Sequence, residues 1–239
     1  MSARIVILNV LDPSGEQGLT IDLQAAFDAG ATSVLPLATG SLIDGAVVPA
    51  DGKALGAILD AALADPVSAM LIGSMPNSRI AGAIAGALGR DLPETLVFAP
   101  GAYIEARTWF VGSANRQQRE HFQTLTRECT VTVMTAKETA AWLDTGDLDA
   151  EQAGEQLCAA GAYSAWIRDE RGSVRSLDRL VTDGNKAVLD YPTIAEDQPD
   201  RIPGALTALL ASGLTLQEAV AAAQRHAACP VSAEAAACR

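Results

Sequence analysis

The stretch "RIVILNVLDPSGEQGLTIDLQAAFDAG", residues 4–30, decides the fold. Its opening run, 4–10, is almost continuously apolar, which predicts a central strand of a parallel sheet. A turn rich in small and acidic residues follows, and the segment 19–30 carries apolar residues at helical spacing. Gly30 fits the position just after a helix C-terminus. The stretch therefore predicts a strand, a loop and a helix, which is how an α/β fold begins.

The alternation of strand and helix continues along the chain. The sequence predicts further strands at 32–38, 68–75, 94–100, 130–134, 162–170, 173–181 and 186–194. It predicts helices at 52–65, 78–89, around 114–125, and at 136–144, 150–160, 203–212 and 215–228. The turn signal "TDGN" joins the last two strands into a hairpin, and Thr215 and Glu218 fit a capping box. We predict one α/β domain over residues 1–239, with a mostly parallel central sheet between two layers of helices.

Composition narrows the class of protein. The chain has 239 residues, 49% of them hydrophobic, and a net charge of −12. An acidic surface argues against nucleic acid and membranes as partners, because both attract basic surfaces. The N-terminal apolar run is too short for a signal peptide or a membrane span, so we expect a cytoplasmic protein. Four cysteines (Cys129, Cys158, Cys229 and Cys238) form no C-x-x-C pair, and we expect reduced thiols and no metal site.

Ligands of open parallel sheets lie at the carboxyl ends of the strands. The segments that follow the predicted strands are therefore the places to look for a site: 9–18, 37–45, 73–77, 99–105, 134–137, 168–172 and 195–203.

Several of these segments resemble one family of enzymes. "DPSGEQGLTIDLQ" resembles the "DPSGGAGIQADLK" signature of hydroxymethylpyrimidine and phosphomethylpyrimidine kinases. "TSVLPLATGSLIDGAVV", "SAMLIGSMPNSRIAGAIAGAL" and "GLTLQEAVAAAQRHA" resemble later segments of the same family, in the same order and at similar spacing. The resemblance covers nearly the whole chain. It implies a ribokinase-like three-layer fold and a relation to thiamin biosynthesis.

The resemblance also implies residues for a substrate site. It places Asn9, Asp12, Asp22, Thr39 and Ser41 on the side that binds the pyrimidine in the family. Ser41 replaces a pyrimidine-contacting glutamine and is too short for the same hydrogen bonds. Asp12 has an alternative reading as a turn residue or helix cap, and Asp22 has one as an acid that complements the start of a helix.

The family's phosphoryl-transfer motif, G-T-G-C before a late helix, is degenerate in this sequence. Counting back from "GLTLQEAV", the motif falls on "DQPD", so both glycines and the cysteine are lost. Pro199 lacks an N–H, Asp197 and Asp200 add negative charge, and Asp200 is placed to cap the helix with its carboxylate. An alternative register brings Gly204 closer to the anion-hole position but still lacks the second glycine and the cysteine.

Other family positions change in the same direction. The carboxylate of the family's "DPV" becomes Ala99, and a lysine becomes Leu71. An asparagine becomes Lys137, and the glutamate at a metal-linked position becomes Ala140, with Glu138 on a different helix face. Phosphoryl transfer depends on positioning and charge stabilisation, so losing these groups together predicts a large loss of rate.

Three hypotheses follow. The first is a degenerate member of the kinase family that keeps a small-molecule-binding or regulatory role, with a pyrimidine-like ligand and no cofactor. The second is an active kinase that uses ATP and magnesium on hydroxymethylpyrimidine, its phosphate or a related vitamin precursor. The third is a partner-binding dimer without a small ligand. We expect a homodimer, because the Ala/Gly-rich helix 78–89 could pack closely against a second copy.

Overall fold

The computed structural model describes residues 3–101, 116–168, 175–182, 185–192 and 200–228. The strands are β1 (Arg4–Leu11), β2 (Ser33–Ile43), β3 (Ala46–Pro49), β4 (Ala69–Ile72), β5 (Leu96–Phe98), β6 (Val131–Thr135), β7 (Ser164–Arg168), β8 (Arg175–Thr182) and β9 (Asn185–Pro192). The helices are α1 (Leu19–Asp28), α2 (Gly52–Leu63), α3 (Ser78–Leu88), α4 (Arg116–Glu128), α5 (Ala136–Leu143), α6 (Ala150–Ala159), α7 (Ile202–Ala211) and α8 (Leu216–Ala228).

The described strands form one sheet in the order β3-β2-β1-β4-β5-β6-β7-β8-β9. The six strands from β2 to β7 in this order pair in parallel, and β3, β8 and β9 pair antiparallel at the two edges. The β8–β9 ladder closes at Thr182 and Asn185, which confirms the predicted hairpin. The α/β class and the mostly parallel sheet are confirmed.

Two hydrophobic clusters cover the two faces of the sheet. One contains Leu55, Ile80, Leu125, Trp142 and Leu157, and thus joins the sheet to α2 through α6. The other joins it to α1, α7 and α8. Strands β1 and β4 contribute side chains to both clusters and are buried almost throughout, as expected of central parallel strands. No helix among the described residues is long and apolar enough to cross a membrane.

The sequence interpretation was wrong about the segment 37–45. It is not a loop, because β2 continues to Ile43 and turns into the short edge strand β3. Asp44 and Gly45 make this turn with positive φ angles of 49° and 77°. An Asp-Gly pair suits such a hairpin turn, so the signal was present in "IDGA" and was overlooked.

Candidate functional site

The carboxyl ends of β1, β2 and β4 are joined by a buried hydrogen-bond network. Asn9 Oδ1 accepts from the backbone N–H of Ser74 at 3.0 Å and from that of Val10 at 2.8 Å. Thr39 Oγ1 donates to the Ser74 carbonyl at 2.6 Å, and Ser74 Oγ donates to the carbonyl of Pro100 at 2.8 Å. Ser74 thus links four strand ends. The sequence interpretation did not single it out, since a lone serine after a strand carries no distinctive signal.

Gly73 allows this network to form. A Cβ atom at this position would lie 2.4 Å from Asn9 Cγ, so any other residue would displace the asparagine side chain. Because the site is fully packed, Asn9 and Thr39 hold the ends of the strands in place and are themselves almost inaccessible to solvent.

Asp22 extends the network from β1 to the helices. It lies on α1 and is 2% exposed. Its Oδ2 accepts from Asn9 Nδ2 at 2.7 Å, and the backbone N–H of Gly204 makes a weaker hydrogen-bond contribution to its carboxylate, the smallest of the effects on its pKa. Burial raises the pKa of Asp22 to about 7; the two donors oppose this effect, and the nearby carboxylate of Asp200 adds to it. Asp22 therefore joins β1, α1 and α7.

Asp200 lies just before α7 and contacts both this helix and the end of β7. Its Oδ1 accepts from the backbone N–H of Ile202 at 3.2 Å, and its Oδ2 pairs with Arg168 Nη1 from the end of β7. The side chains of Arg168 and Asp200 are 13% and 35% exposed. The structure therefore agrees with the predicted capping by Asp200 only in part. Arg201 occupies the N-cap position without a side-chain cap hydrogen bond, and Asp200, one residue earlier, accepts only from the first N–H of the helix.

The remaining N–H groups in the first turn of α7 are engaged as well. Pro203 has no N–H, Gly204 donates to Asp22, and Ala205 donates to the carbonyl of Arg201 at 3.2 Å. Helix N-termini bind phosphate through unsatisfied N–H groups. At positions 202–205 the chain's own oxygen atoms already accept from these groups, so the arrangement does not fit a phosphate there.

Carboxylates also surround Arg168. Burial lowers the pKa of its guanidinium, but Asp200, Asp178 and Glu138 outweigh this effect and raise the pKa above its ordinary value. Glu138 completes a capping box at the start of α5, where Thr135 N–H donates to its Oε2 at 2.7 Å. The described residues contain no group of three potential ligands that could hold a metal ion.

Asp12 organises its own loop. Its Oδ1 accepts from the backbone N–H of Ser14 at 2.9 Å and from Ser14 Oγ at 2.8 Å. These bonds, with further backbone bonds from Gln17 and Glu16, lower the pKa of Asp12 against the opposing effect of burial. The geometry is that of an Asx turn. The Asp12 carboxylate therefore acts as a turn residue, which is one of the two roles that the sequence left open.

The predicted site residues thus fall into four groups. The structure brings Asn9, Thr39, Asp22 and Gly204 into one connected network, while Asp12 and Asp200 are held by their own loop and by the start of α7. Ser41 lies further along β2, half-buried, opposite Leu11 of β1 and Val48 of β3. Asp197 and Pro199 lie outside the described residues.

Known structures share this architecture. Pyridoxal kinase from Staphylococcus aureus, in complex with AMP-PCP and pyridoxal, superposes with a TM-score of 0.79 at 18% identity over 93% of this chain and 85% of that one. An ADP complex of Bacillus subtilis pyridoxal kinase gives 0.78 at 20% identity over 93% and 89%. Phosphomethylpyrimidine kinase from Clostridium difficile 630 gives 0.76 at 18% identity over 94% and 97%.

No protein-family model and no curated protein matches the sequence. The structural likeness extends over nearly the full length of each chain, which confirms the fold implied by the sequence resemblance. The chain has the fold of the ribokinase-like vitamin kinases.

Proposed function

We propose that this chain binds a small heteroaromatic molecule and does not transfer phosphoryl groups from ATP. The observation that carries the proposal is the start of α7, where Asp200 and Asp22 accept the backbone N–H groups of Ile202 and Gly204. An anion site at a helix N-terminus needs these groups free. A vitamin-kinase fold in which side chains occupy these N–H groups keeps the scaffold that binds a small molecule and lacks the anion site that binds phosphate.

Electrostatics support the same proposal. A phosphate placed beside Asp200 would meet a negative charge whose cation, Arg168, is already paired. Two unit charges about 4 Å apart repel by roughly 4 kcal/mol at an effective dielectric of 20. The resemblance to hydroxymethylpyrimidine kinases and the pyridoxal in one structural relative support an uncharged heteroaromatic ring as the ligand class.

The proposed ligand site lies at the carboxyl end of β2. Asn9 and Asp22 are bonded to each other and Thr39 is bonded to Ser74, so these three residues would shape the floor of a site and make few direct contacts with a ligand. Ser41 is half-buried and has no partner in this network, and Leu11 beside it is 37% exposed. An apolar surface with a few polar groups is typical of sites for small molecules. We propose that the ligand contacts Ser41 and Leu11.

A binding experiment tests this proposal. Thermal melts with hydroxymethylpyrimidine, pyridoxal or Mg–ATP report binding, because a ligand at 100 times its Kd stabilises the native state by about 2.7 kcal/mol. We expect a shift with one of the two heterocycles and none with Mg–ATP. Ser41→Leu should abolish the shift, whereas Ser33→Leu, at the exposed far end of the same strand, should retain it. A shift with Mg–ATP alone would contradict the proposal.

One observation favours the active-kinase alternative. By the sequence resemblance, Asp200 falls at the position of the family's cysteine, which is associated with activating the substrate hydroxyl, and its carboxylate is one-third exposed. A carboxylate could act as a general base at this point. If the chain is a kinase that uses ATP and magnesium, phosphorylated product should appear and should disappear in Asp200→Asn.

The dimer is a separate proposal. Small residues of α3 serve packing inside the chain, since a Cβ at Gly56 of α2 would lie 3.7 Å from Ala83 Cβ. Gly86 on the same helix faces open space and leaves a surface for a second copy. Light scattering at micromolar concentration distinguishes monomer from dimer, and a dimer that binds none of the ligands would favour the partner-binding hypothesis.

A further inference from the structure

Asp22 is a buried carboxylate without a cation partner among the described residues. Its two hydrogen-bond donors, Asn9 Nδ2 and the N–H of Gly204, are both uncharged. Burying a carboxylate costs free energy unless a positive charge or strong hydrogen bonds compensate for it. Asp22 also lies at a close approach of α1 and α7, because a Cβ at Gly204 would lie 2.2 Å from the carbonyl oxygen of Asp22.

The charged groups around this contact leave Asp22 without compensation. At the start of α7, Asp200 repels it, and Arg168 of β7 is paired with Asp200. Arg201 is paired with Asp28 at the far end of α1. At the end of β1, Asp12 is held by the amides of its own loop, while Arg4 lies at the opposite end of that strand. Strand β2 contains no charged residue.

We propose that Asp22 is a proton-sensitive switch in the contact between α1 and α7. The contact is stable while the Asp22 side chain carries a proton and weakens when that proton is lost to solvent. Loss of the proton places a second negative charge beside Asp200 at the start of α7. The switch concerns the packing of the two helices and does not depend on whether the proposed ligand binds.

The direction of the pH effect follows from burial. Because burial raises the pKa of Asp22 from 3.8 to about 7, the folded state holds a proton that the unfolded state has lost. The stabilising contribution is fully present below pH 3.8 and is lost as the pH rises through 7. Between these values the unfolding equilibrium constant should rise by up to tenfold per pH unit, and above them it should level off.

Carboxyl carbon NMR of protein labelled at aspartate tests the proposal directly. We expect one resonance with a midpoint near pH 7 in the wild type and its absence in Asp22→Asn. Asp200→Asn removes the repelling charge, so the midpoint should move to lower pH while the resonance remains. The proposal is overturned if no aspartate titrates between pH 6 and 8, or if the same titration persists in Asp22→Asn.

Denaturant unfolding gives a second measurement. The ratio of the unfolding constants of the wild type and Asp22→Asn should rise up to tenfold per unit between pH 5 and 7, because other titrating groups cancel in the ratio. A ratio that does not change with pH would overturn the proposal. If Asp22→Asn does not fold, the NMR titration of Asp200→Asn tests the proposal instead. An aspartate titration midpoint that is the same in Asp200→Asn as in the wild type would then contradict the switch.

Discussion

The close contact between α1 and α7 predicts that Gly204→Ala destabilises the protein. A methyl group at this position would lie 2.2 Å from the carbonyl oxygen and 2.7 Å from the carbonyl carbon of Asp22. These are backbone atoms, so they cannot rotate away, and α7 must retreat by about 1 Å to restore ordinary contact distances. The retreat would also lengthen the hydrogen bond from the Gly204 N–H to the Asp22 carboxylate.

The expected loss follows from three effects. Overpacking costs about 1–3 kcal/mol, and weakening a hydrogen bond to a carboxylate costs up to about 3 kcal/mol. Alanine regains about 1 kcal/mol through its higher helix propensity. Because the clash is with backbone atoms, overpacking should lie near the upper end of its range, and we therefore expect the free energy of unfolding to fall by about 2–5 kcal/mol for Gly204→Ala.

Urea unfolding monitored by circular dichroism measures this loss. Gly56→Ala in α2 is the matched control, since a Cβ there would make an ordinary contact, 3.7 Å from Ala83 Cβ. The control should be unchanged or gain up to about 1 kcal/mol. If Gly204→Ala were as stable as Gly56→Ala, the described approach of α7 to α1 would be wrong.

Two further predictions concern charges near α7. Asp28→Asn removes the partner of Arg201, whose side chain is 7% exposed, and should cost about 1–2 kcal/mol because Asp28 itself is half exposed. Asp65→Asn breaks the more exposed pair with Arg4 and should cost less than about 0.5 kcal/mol in the same urea titration. Equal losses in Asp28→Asn and Asp65→Asn would contradict the conclusion that Asp28 stabilises the buried Arg201. Burial, then Arg201, lowers the pKa of His226, so its stabilising contribution is present above pH 6.5 and is lost as the pH falls through the lowered value. His226→Gln should reduce the loss of stability that occurs as the pH falls below 6.5. If that loss is the same in His226→Gln as in the wild type, His226 is not its cause.

Periodicity alone predicted most of the fold. The strand 4–10, the helix from residue 19 and the Gly30 terminus all agree with the structure, where Gly30 has a φ of 97°. These features are local, because the burial pattern of an element and the conformation of a turn depend on residues that are close together in the sequence. The hairpin at Asp44 and Gly45 was equally local and was missed only because the segment was read as a loop.

The candidate site was harder to predict because its contacts join distant parts of the chain. Asp22 meets Gly204, and Arg168 meets Asp200, across separations that no spacing rule reveals. The capping role of Asp200 could be inferred, since one residue and its adjacent helix decide it. The role of Ser74 in joining the strand ends could not be inferred, because its three hydrogen bonds depend on the order of the strands in the sheet.

A phosphoryl-transfer assay tests the central claim most directly. The purified chain is incubated with ATP, magnesium and, in turn, hydroxymethylpyrimidine, its monophosphate and pyridoxal, and product is followed by mass spectrometry. Because Asp200 and Asp22 hold the N–H groups at the start of α7, we predict no phosphorylated product above the protein-free control. Product formed by the wild type and lost in Asp200→Asn would contradict the proposal and establish the chain as an active kinase.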